Sequence, residues 1–303
     1  MEIKLDFSVT PLNLEHTLQC GQLFRWEKIG DYWYGIVREK VIKIRQNAGS
    51  IDFQIFPSQT DTKFIRSYFR LDDDLPHIFS KIKKDEIMKK AINLLYGLRI
   101  TRQEPWECLI SYICATYKNI PAIRRMIQNL SQQFGKEIRF ENHIFYTFPK
   151  PSDLARAGPK ELENCGLGFR ANYVLESART VENERFDLEA LRKMDYEEAK
   201  RELLSFLGVG NKVADCILLF SLDKLEAFPV DIWIKRIILE FYSKSFSSDF
   251  VEKTSEKNSL TNSGYLKISK FGRSYFGAYA GYAQEYLFHW KRLASTSGTK
   301  REL

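Results

Sequence analysis

Leu207-Gly208-Val209-Gly210-Asn211-Lys212-Val213-Ala214-Asp215 is the stretch on which the reading of this chain turns. Glu197–Phe206 before it and Lys212–Leu222 after it carry apolar residues at helical spacing. The glycines between them allow a tight turn whose peptide N–H groups face outward, toward a phosphate. The stretch therefore reads as a hairpin between two helices that grips a nucleic-acid backbone. Asp231 follows nineteen positions after Lys212, just ahead of a third helical pattern at Ile232–Phe241. Each residue alone has a plain structural reading, a solvated surface lysine and an aspartate capping a helix. Together, an amine and a carboxylate just beyond a phosphate-gripping turn point to chemistry on a nucleic acid. The positive end of a helix disfavours a protonated amine and lowers its pKa from the usual value of about 10.4. Burial would lower it further. A neutral amine can attack a sugar C1′ and form a Schiff base. A carboxylate can cap its helix and also stabilise a developing oxocarbenium ion.

Outward from the hairpin, the chain divides by periodicity. Tyr32–Val37 and Val41–Ile44 read as a hairpin with Arg38-Glu39-Lys40 in the bend, and Ile51–Phe56 alternates as a third strand ended by Pro57. The first sixty residues as a whole look like strands. From Thr62 onward the spacing is helical. Pro105-Trp106-Glu107 opens a nearly all-apolar, central helix through Cys114; Pro121–Phe134, Pro159–Leu162, Ala171–Val181 and Ala278–Leu293 supply others. Residues 243–264 are rich in Ser and Lys and read as a mobile loop. The fold class is α+β, with an N-terminal antiparallel sheet followed by an all-helical part.

The 303 residues suffice for a large core in two subdomains, and the net charge of +7 fits a polyanionic partner. The cysteines Cys20, Cys108, Cys114, Cys165 and Cys216 are scattered, which argues for a reducing compartment and against a zinc site, a disulfide framework or an iron–sulfur cluster. The N-terminus has no apolar signal region, and no run of about 18 apolar residues could span a bilayer. The ending Lys300-Arg301-Glu302-Leu303 faintly resembles a retention tail and, without a signal peptide, reads as chance.

Leu207–Cys216, followed by Phe228-Pro229-Val230-Asp231, resembles the helix–hairpin–helix glycosylases with a Gly/Pro-rich loop and an aspartate. Within them the chain is similar to the eukaryotic-type 8-oxoguanine DNA glycosylase family. Cys20–Trp26 resembles the family's N-terminal signature, Gln103–Ala115 and Cys165–Val174 its helical core, and Ala278–Phe288 its C-terminal helix. The resemblance implies a sheet-containing domain over 1–108 and a helix–hairpin–helix catalytic domain over 109–303. It implies that Lys212 is the nucleophile, that Asp231 stabilises the transition state, and that the Schiff base then permits β-elimination. The target base must leave the stack. The Gly21 carbonyl would accept a hydrogen bond from N7–H of 8-oxoguanine, a donor that guanine lacks; the plain alternative is a turn glycine after a strand. Gln284 would read the Watson–Crick edge and Phe288, four residues on, would stack on the base. Cys216 would cover the other face and Pro229 would border the pocket; read alone, Phe288 and Cys216 are ordinary core residues. Gly208, Val209 and Gly210 would bind the backbone, with Asn119 near the DNA. The implied partner is double-stranded DNA containing oxidised guanine, bound by a monomer in the nucleoid or nucleus. No cofactor or side-chain metal site is expected, although the family's hairpin can hold a monovalent cation through carbonyls.

The chain departs from the family at the orphan base. Where cytosine-selective members carry an asparagine, two arginines and a tyrosine, this chain has Tyr117, Ala122, Arg170 and Phe169, so only Arg170 is kept. A relaxed opposite-base preference follows. Trp233 stands where members often have a phosphate-contacting histidine, and an indole carries no charge. The alternatives are a helix–hairpin–helix glycosylase for another damaged base and a non-catalytic DNA-binding module, which would need the hairpin but not the Lys212–Asp231 pair.

Overall fold

The computed structural model describes residues 2–4, 9–57, 61–257 and 259–296; the Lys300–Leu303 ending lies outside them. Strands β1 Glu2–Lys4, β2 Trp26–Ile29, β3 Tyr32–Val37, β4 Lys40–Asn47 and β5 Ser50–Phe56 form an antiparallel sheet in the order β1-β5-β4-β3-β2. Val37 pairs with Lys40, which leaves Arg38 and Glu39 as a two-residue turn with Arg38 at φ 56°. Alternation along β4 and β5 turns Ile42, Ile44, Ile51, Phe53 and Ile55 to one core together with Trp26 and Trp33. Gly35 lies opposite Trp26, and a Cβ there would come within 2.2 Å of the indole. The first sixty residues are not all strand. Leu14–Gln19 is a helix, started by Asn13 accepting from the His16 N–H at 2.9 Å, and it buries Leu14 and Leu18 on the sheet. Gly21 therefore follows a helix.

A second hairpin, β6 Glu137–Phe140 and β7 His143–Tyr146, covers the sheet's opposite face, where Phe145 stacks on Tyr34 with centroids 5.9 Å apart. Four-residue strands leave too little periodicity to stand out in the sequence.

The helical body is built around Pro105–Cys114, which is almost entirely buried, as its apolar composition requires. That helix runs across residues 108 and 109, and the same core takes in Leu75, Ile78, Ile82, Met88 and Ile92. The described residues of 243–264 are not a loop. They form the 3-10 turn Ser243–Ser245, the helix Ser248–Ser255 and the start of the helix Asn262–Phe276. The hydroxyl residues that resemble a loop are caps: Ser247 accepts from the Phe250 N–H and Thr261 from the Gly264 N–H. Phe246 stacks on Phe250 and also packs on Phe271. The last helix, Ala280–Thr296, is tied back to the earlier chain where Tyr282 Oη donates to Asp73 Oδ2 at 2.9 Å and Tyr286 Oη to the Leu98 carbonyl at 2.7 Å. No helix among the described residues is long and apolar enough to cross a membrane.

Candidate active site

The hairpin forms between the helices Tyr196–Leu204 and Asn211–Ser221. Gly208 takes φ +83°, and a Cβ on it would lie 2.3 Å from the Tyr173 ring, so both conformation and space demand glycine. Gly210 caps the second helix at φ −93° with open space around it. Gly210 is exposed, whereas the Val209 side chain is core, so only the Val209 backbone is available to a phosphate. Lys212 occupies the helix's first turn, half-buried, with Nζ 5.3 Å from the centre of the Tyr112 ring.

Asp231 caps the helix Ile232–Phe241, its Oδ1 accepting from the Ile234 N–H at 2.8 Å. The carboxylate is half-buried. Desolvation pushes its pKa above the usual carboxylate range, opposed by the Ile234 N–H and then by the Lys212 charge. The same Lys212 charge acts on Cys216, one turn further along, whose buried thiol is nevertheless pushed up to about 12 and stays protonated. Lys212, Asp231 and Cys216 are therefore one electrostatic unit, with Pro229 buried beside them in the segment leading to Asp231.

Gly21, Phe288 and Gln284 come from opposite ends of the chain. Gly21 has φ +107°; a Cβ there would meet Arg292 Nη1 at 2.7 Å, Ile120 Cδ1 at 3.2 Å and Phe288 Cε1 at 3.4 Å. The turn is locked by its neighbour: Gln22 Nε2 donates to the Thr17 and Arg99 carbonyls, and Gln22 Oε1 accepts from the Thr101 N–H. Arg292 Nη1 donates to the Cys20 carbonyl at 2.8 Å, and its guanidinium lies over the Phe288 ring. Gln284 is buried with Oε1 unpaired among the described residues. A buried amide oxygen without a donor is costly unless a ligand supplies one.

Around the expected orphan base the structure sorts the residues sharply. Tyr117 is 89% exposed at φ 56°, and Phe169 is 57% exposed, its ring edge-on to Tyr173. A non-glycine residue held left-handed and fully exposed marks a strained, surface-presented aromatic. Ala122 lies in the first turn of the helix Ile120–Phe134, which Asn119 caps by accepting from the Ala122 N–H at 3.0 Å. Arg170, expected at the orphan base, is 3% exposed in this DNA-free structure. Its guanidinium donates to the Thr116 and Leu167 carbonyls and lies over the Phe169 ring, where it props the two aromatic loops. Trp233 is half-buried, and the Arg236 guanidinium lies 5.4 Å from its ring centre, supplying beside the indole the charge that the indole lacks.

Three residues of the site were not among those the sequence singled out. Tyr112 forms the wall beside Lys212 and stacks on Phe220. Arg236 could have been found by its three-residue offset from Trp233. Glu285, 2% exposed and with Oε1 unpaired among the described residues, lies beside the Cys20 thiol and within electrostatic reach of Asp231. Burial pushes its carboxyl up to about 7, with the Cys20 thiol and the Arg292 charge pulling the other way. No group of three or more His, Cys, Asp or Glu among the described residues is arranged to hold a metal.

Comparison with known proteins agrees with this geometry. Residues 4–109 match the family model of the 8-oxoguanine DNA glycosylase N-terminal domain, and residues 110–259 that of the HhH-GPD superfamily base excision DNA repair proteins. The chain is 32% identical to the N-glycosylase/DNA lyase of Saccharomyces cerevisiae over 98% of its own length and 87% of that protein's. It is 30% identical to the N-glycosylase/DNA lyase OGG1 of Arabidopsis thaliana, covering 94% of this chain and 78% of the relative. The Clostridium acetobutylicum 8-oxoguanine glycosylase/lyase, solved with dsDNA containing cytosine opposite 8-oxoG, superposes with a TM-score of 0.83 at 33% identity, covering 94% of this chain and 93% of that one. Paired family models across both parts, a relative above 30% identity over nearly the whole chain and the hairpin with its lysine and aspartate lead to one assignment: the chain belongs to the 8-oxoguanine DNA glycosylase family of N-glycosylase/DNA lyases.

Proposed function

We propose that this protein removes 8-oxoguanine from duplex DNA and then nicks the strand, with Lys212 as nucleophile and Asp231 as its electrostatic partner. The observation that carries the reading is the placement of a half-buried amine in the first turn of a helix behind a phosphate-gripping hairpin, within electrostatic reach of a helix-capping carboxylate. The hairpin N–H groups hold the backbone while the damaged nucleotide swings out of the stack. The Lys212 amine bonds to C1′ as the bond to the base breaks, and the Asp231 carboxylate stabilises the positive charge that develops on the sugar. Loss of a proton from the former amine and opening of the ring give a Schiff base. Removal of a C2′ proton then expels the 3′ phosphate.

Recognition is assigned to the pocket between the two ends of the chain. The Gly21 carbonyl takes N7–H of the lesion, the Gln284 amide pairs with the Watson–Crick edge, and the base lies between Phe288 and Cys216, with Pro229 at the border. Guanine would set an acceptor against the Gly21 carbonyl, at a cost of roughly 1–3 kcal/mol for the unpaired group. A protonated Cys216 offers an apolar face and no competing thiolate. The enzyme acts on nucleoid or nuclear DNA, and a monovalent cation held by hairpin carbonyls would add to its grip on the phosphate.

Borohydride trapping on an 8-oxoguanine duplex tests the assignment. Wild type should crosslink; Lys212→Gln should bind and not crosslink, because the hairpin glycines remain. A Lys212→Gln protein that still crosslinks would remove Lys212 from the reaction. Asp231→Asn should slow excision while keeping the cap, because the amide oxygen can accept from the same Ile234 N–H.

A further inference from the structure

The helix Asn262–Phe276 turns Asn262, Tyr265, Ser269 and Gly272 to one side, and that face touches both segments carrying the Lys212–Asp231 pair. Toward the hairpin, Asn211 Nδ2 donates to Asn262 Oδ1 at 2.6 Å, and Tyr265 Oη stands 3.4 Å from the Asn211 carbonyl oxygen. Toward the aspartate, the Val230 N–H donates to Tyr265 Oη at 3.4 Å and Ser269 Oγ donates to the Phe228 carbonyl at 3.0 Å. Gly272 lies so close to Phe228 that a Cβ would come within 2.4 Å of its ring. Asn211 immediately precedes Lys212, and Val230 immediately precedes Asp231. One phenol oxygen thus stands between the peptides that lead into both residues.

That oxygen is itself anchored. Tyr265 Oη donates to Asp215 Oδ2 at 2.5 Å, and Asp215 has no exposed surface. On its other oxygen Asp215 accepts from Tyr196 Oη at 2.6 Å and pairs with Lys200 Nζ at 2.8 Å. A hydroxyl has one proton, and the short bond to the carboxylate takes it, so the Val230 N–H donates into a lone pair whose direction Asp215 sets. Asp215 lies one turn beyond Lys212 on the same helix, which makes the network a brace between the two halves of the reacting pair.

We propose that Tyr265, held by Asp215, is a positioning residue for the glycosylase reaction that fixes the spacing of Lys212 relative to Asp231. The inference rests on the assignment of that pair to the chemistry. Displacing reacting groups by about 1 Å can cost about a hundredfold in rate, so a lost brace should appear in the chemical step and not in DNA affinity.

Tyr265→Phe keeps the ring and removes only the hydroxyl. Tyr196→Phe is its control: it also strips one phenol from buried Asp215, leaves Lys200 in place, and touches neither Asn211 nor Val230. The measurements are single-turnover excision of 8-oxoguanine from a duplex, the Kd for the same duplex, and the Tm of each variant. Tyr265→Phe should excise tenfold to a hundredfold more slowly with Kd within twofold of wild type, while Tyr196→Phe stays within threefold in rate despite a similar fall in Tm. Equal rate losses in the two variants, or no loss in Tyr265→Phe, overturn the proposal. Should Tyr265→Phe not fold, the exposed Asn262→Ala carries the test: excision slowed threefold or more at unchanged Tm supports the brace, and an unchanged rate overturns it. A wild type that does not excise removes the glycosylase reading itself; a wild type that excises beside an equally fast Tyr265→Phe removes only this inference.

Discussion

Replacing Glu285 with glutamine should stabilise the protein, and only at neutral and alkaline pH. Glu285 is 2% exposed, and burial pushes its carboxyl from the ordinary 4.5 up to about 7. The folded protein therefore holds this proton more tightly than the unfolded chain does. The resulting stability is fully present below about pH 4.5, shrinks as pH rises, and is lost by about pH 7, above which the folded state carries a buried carboxylate only partly compensated by the Cys20 thiol and the Arg292 charge. The gap between the two values corresponds to about 3 kcal/mol. Glutamine keeps the shape, cannot ionise, and feels none of this. The difference in unfolding free energy between Glu285→Gln and wild type should therefore widen by about 3 kcal/mol from pH 5 to pH 8, or roughly 6 °C in Tm for a chain of this size. Urea titrations at several pH values measure it directly. A pH-independent difference, or a variant less stable than wild type at pH 8, would refute the reasoning, because either result places the carboxylate where water or an unrecognised cation already satisfies it.

The two hairpin glycines should separate fold from binding. Gly208→Ala, strained at φ +83° and 2.3 Å from the Tyr173 ring, should cost about 1–3 kcal/mol of stability, whereas Gly210→Ala should leave Tm intact and weaken only DNA affinity; equal Tm losses would contradict this. Alanine at Tyr117 or Phe169 should cost about 1–3 kcal/mol in affinity for a lesion duplex at unchanged stability, as measured by fluorescence anisotropy and thermal melting. Cleavage of 8-oxoguanine opposite each of the four bases should vary little, since Ala122 has no side-chain donor and Arg170 is occupied by carbonyls; a cytosine preference above about a hundredfold, roughly 2.7 kcal/mol, counts against it.

What the sequence made legible is local chemistry. The hairpin, Lys212 in a first turn and Asp231 as a cap all follow from glycine conformation and capping rules that act over a few residues. The convergence of Gly21 on Phe288 was legible only through family resemblance, since nothing local joins positions so far apart. Residues 243–264 were misread because serine and threonine serve both loops and caps, and the aromatic contacts of Phe246 and Phe250 that decide the matter are tertiary. The burial of Arg170 is not legible, because a residue's type does not reveal which way it points; the Thr116 carbonyl accepts from its guanidinium. Glu285, Tyr265 and Arg236 gain their meaning from neighbours supplied by other elements or turns.

Under the proposed mechanism, the two carboxyls of the pocket differ in how well each can serve the lysine. Both are raised by desolvation, and the Asp231 charge raises Glu285 further. Asp231 has compensation that Glu285 lacks: the Ile234 N–H, the N-terminal end of its helix and the Lys212 charge all favour its ionised form. Glu285 has a neighbouring thiol, the Arg292 charge and an oxygen unpaired among the described residues. The surroundings therefore favour a charge on Asp231 more than on Glu285, whose carboxyl is pushed up to about 7. Under the proposed mechanism, a site that stabilises positive charge on a sugar needs one fixed carboxylate there. By this argument acidification through about pH 7 should neutralise Glu285.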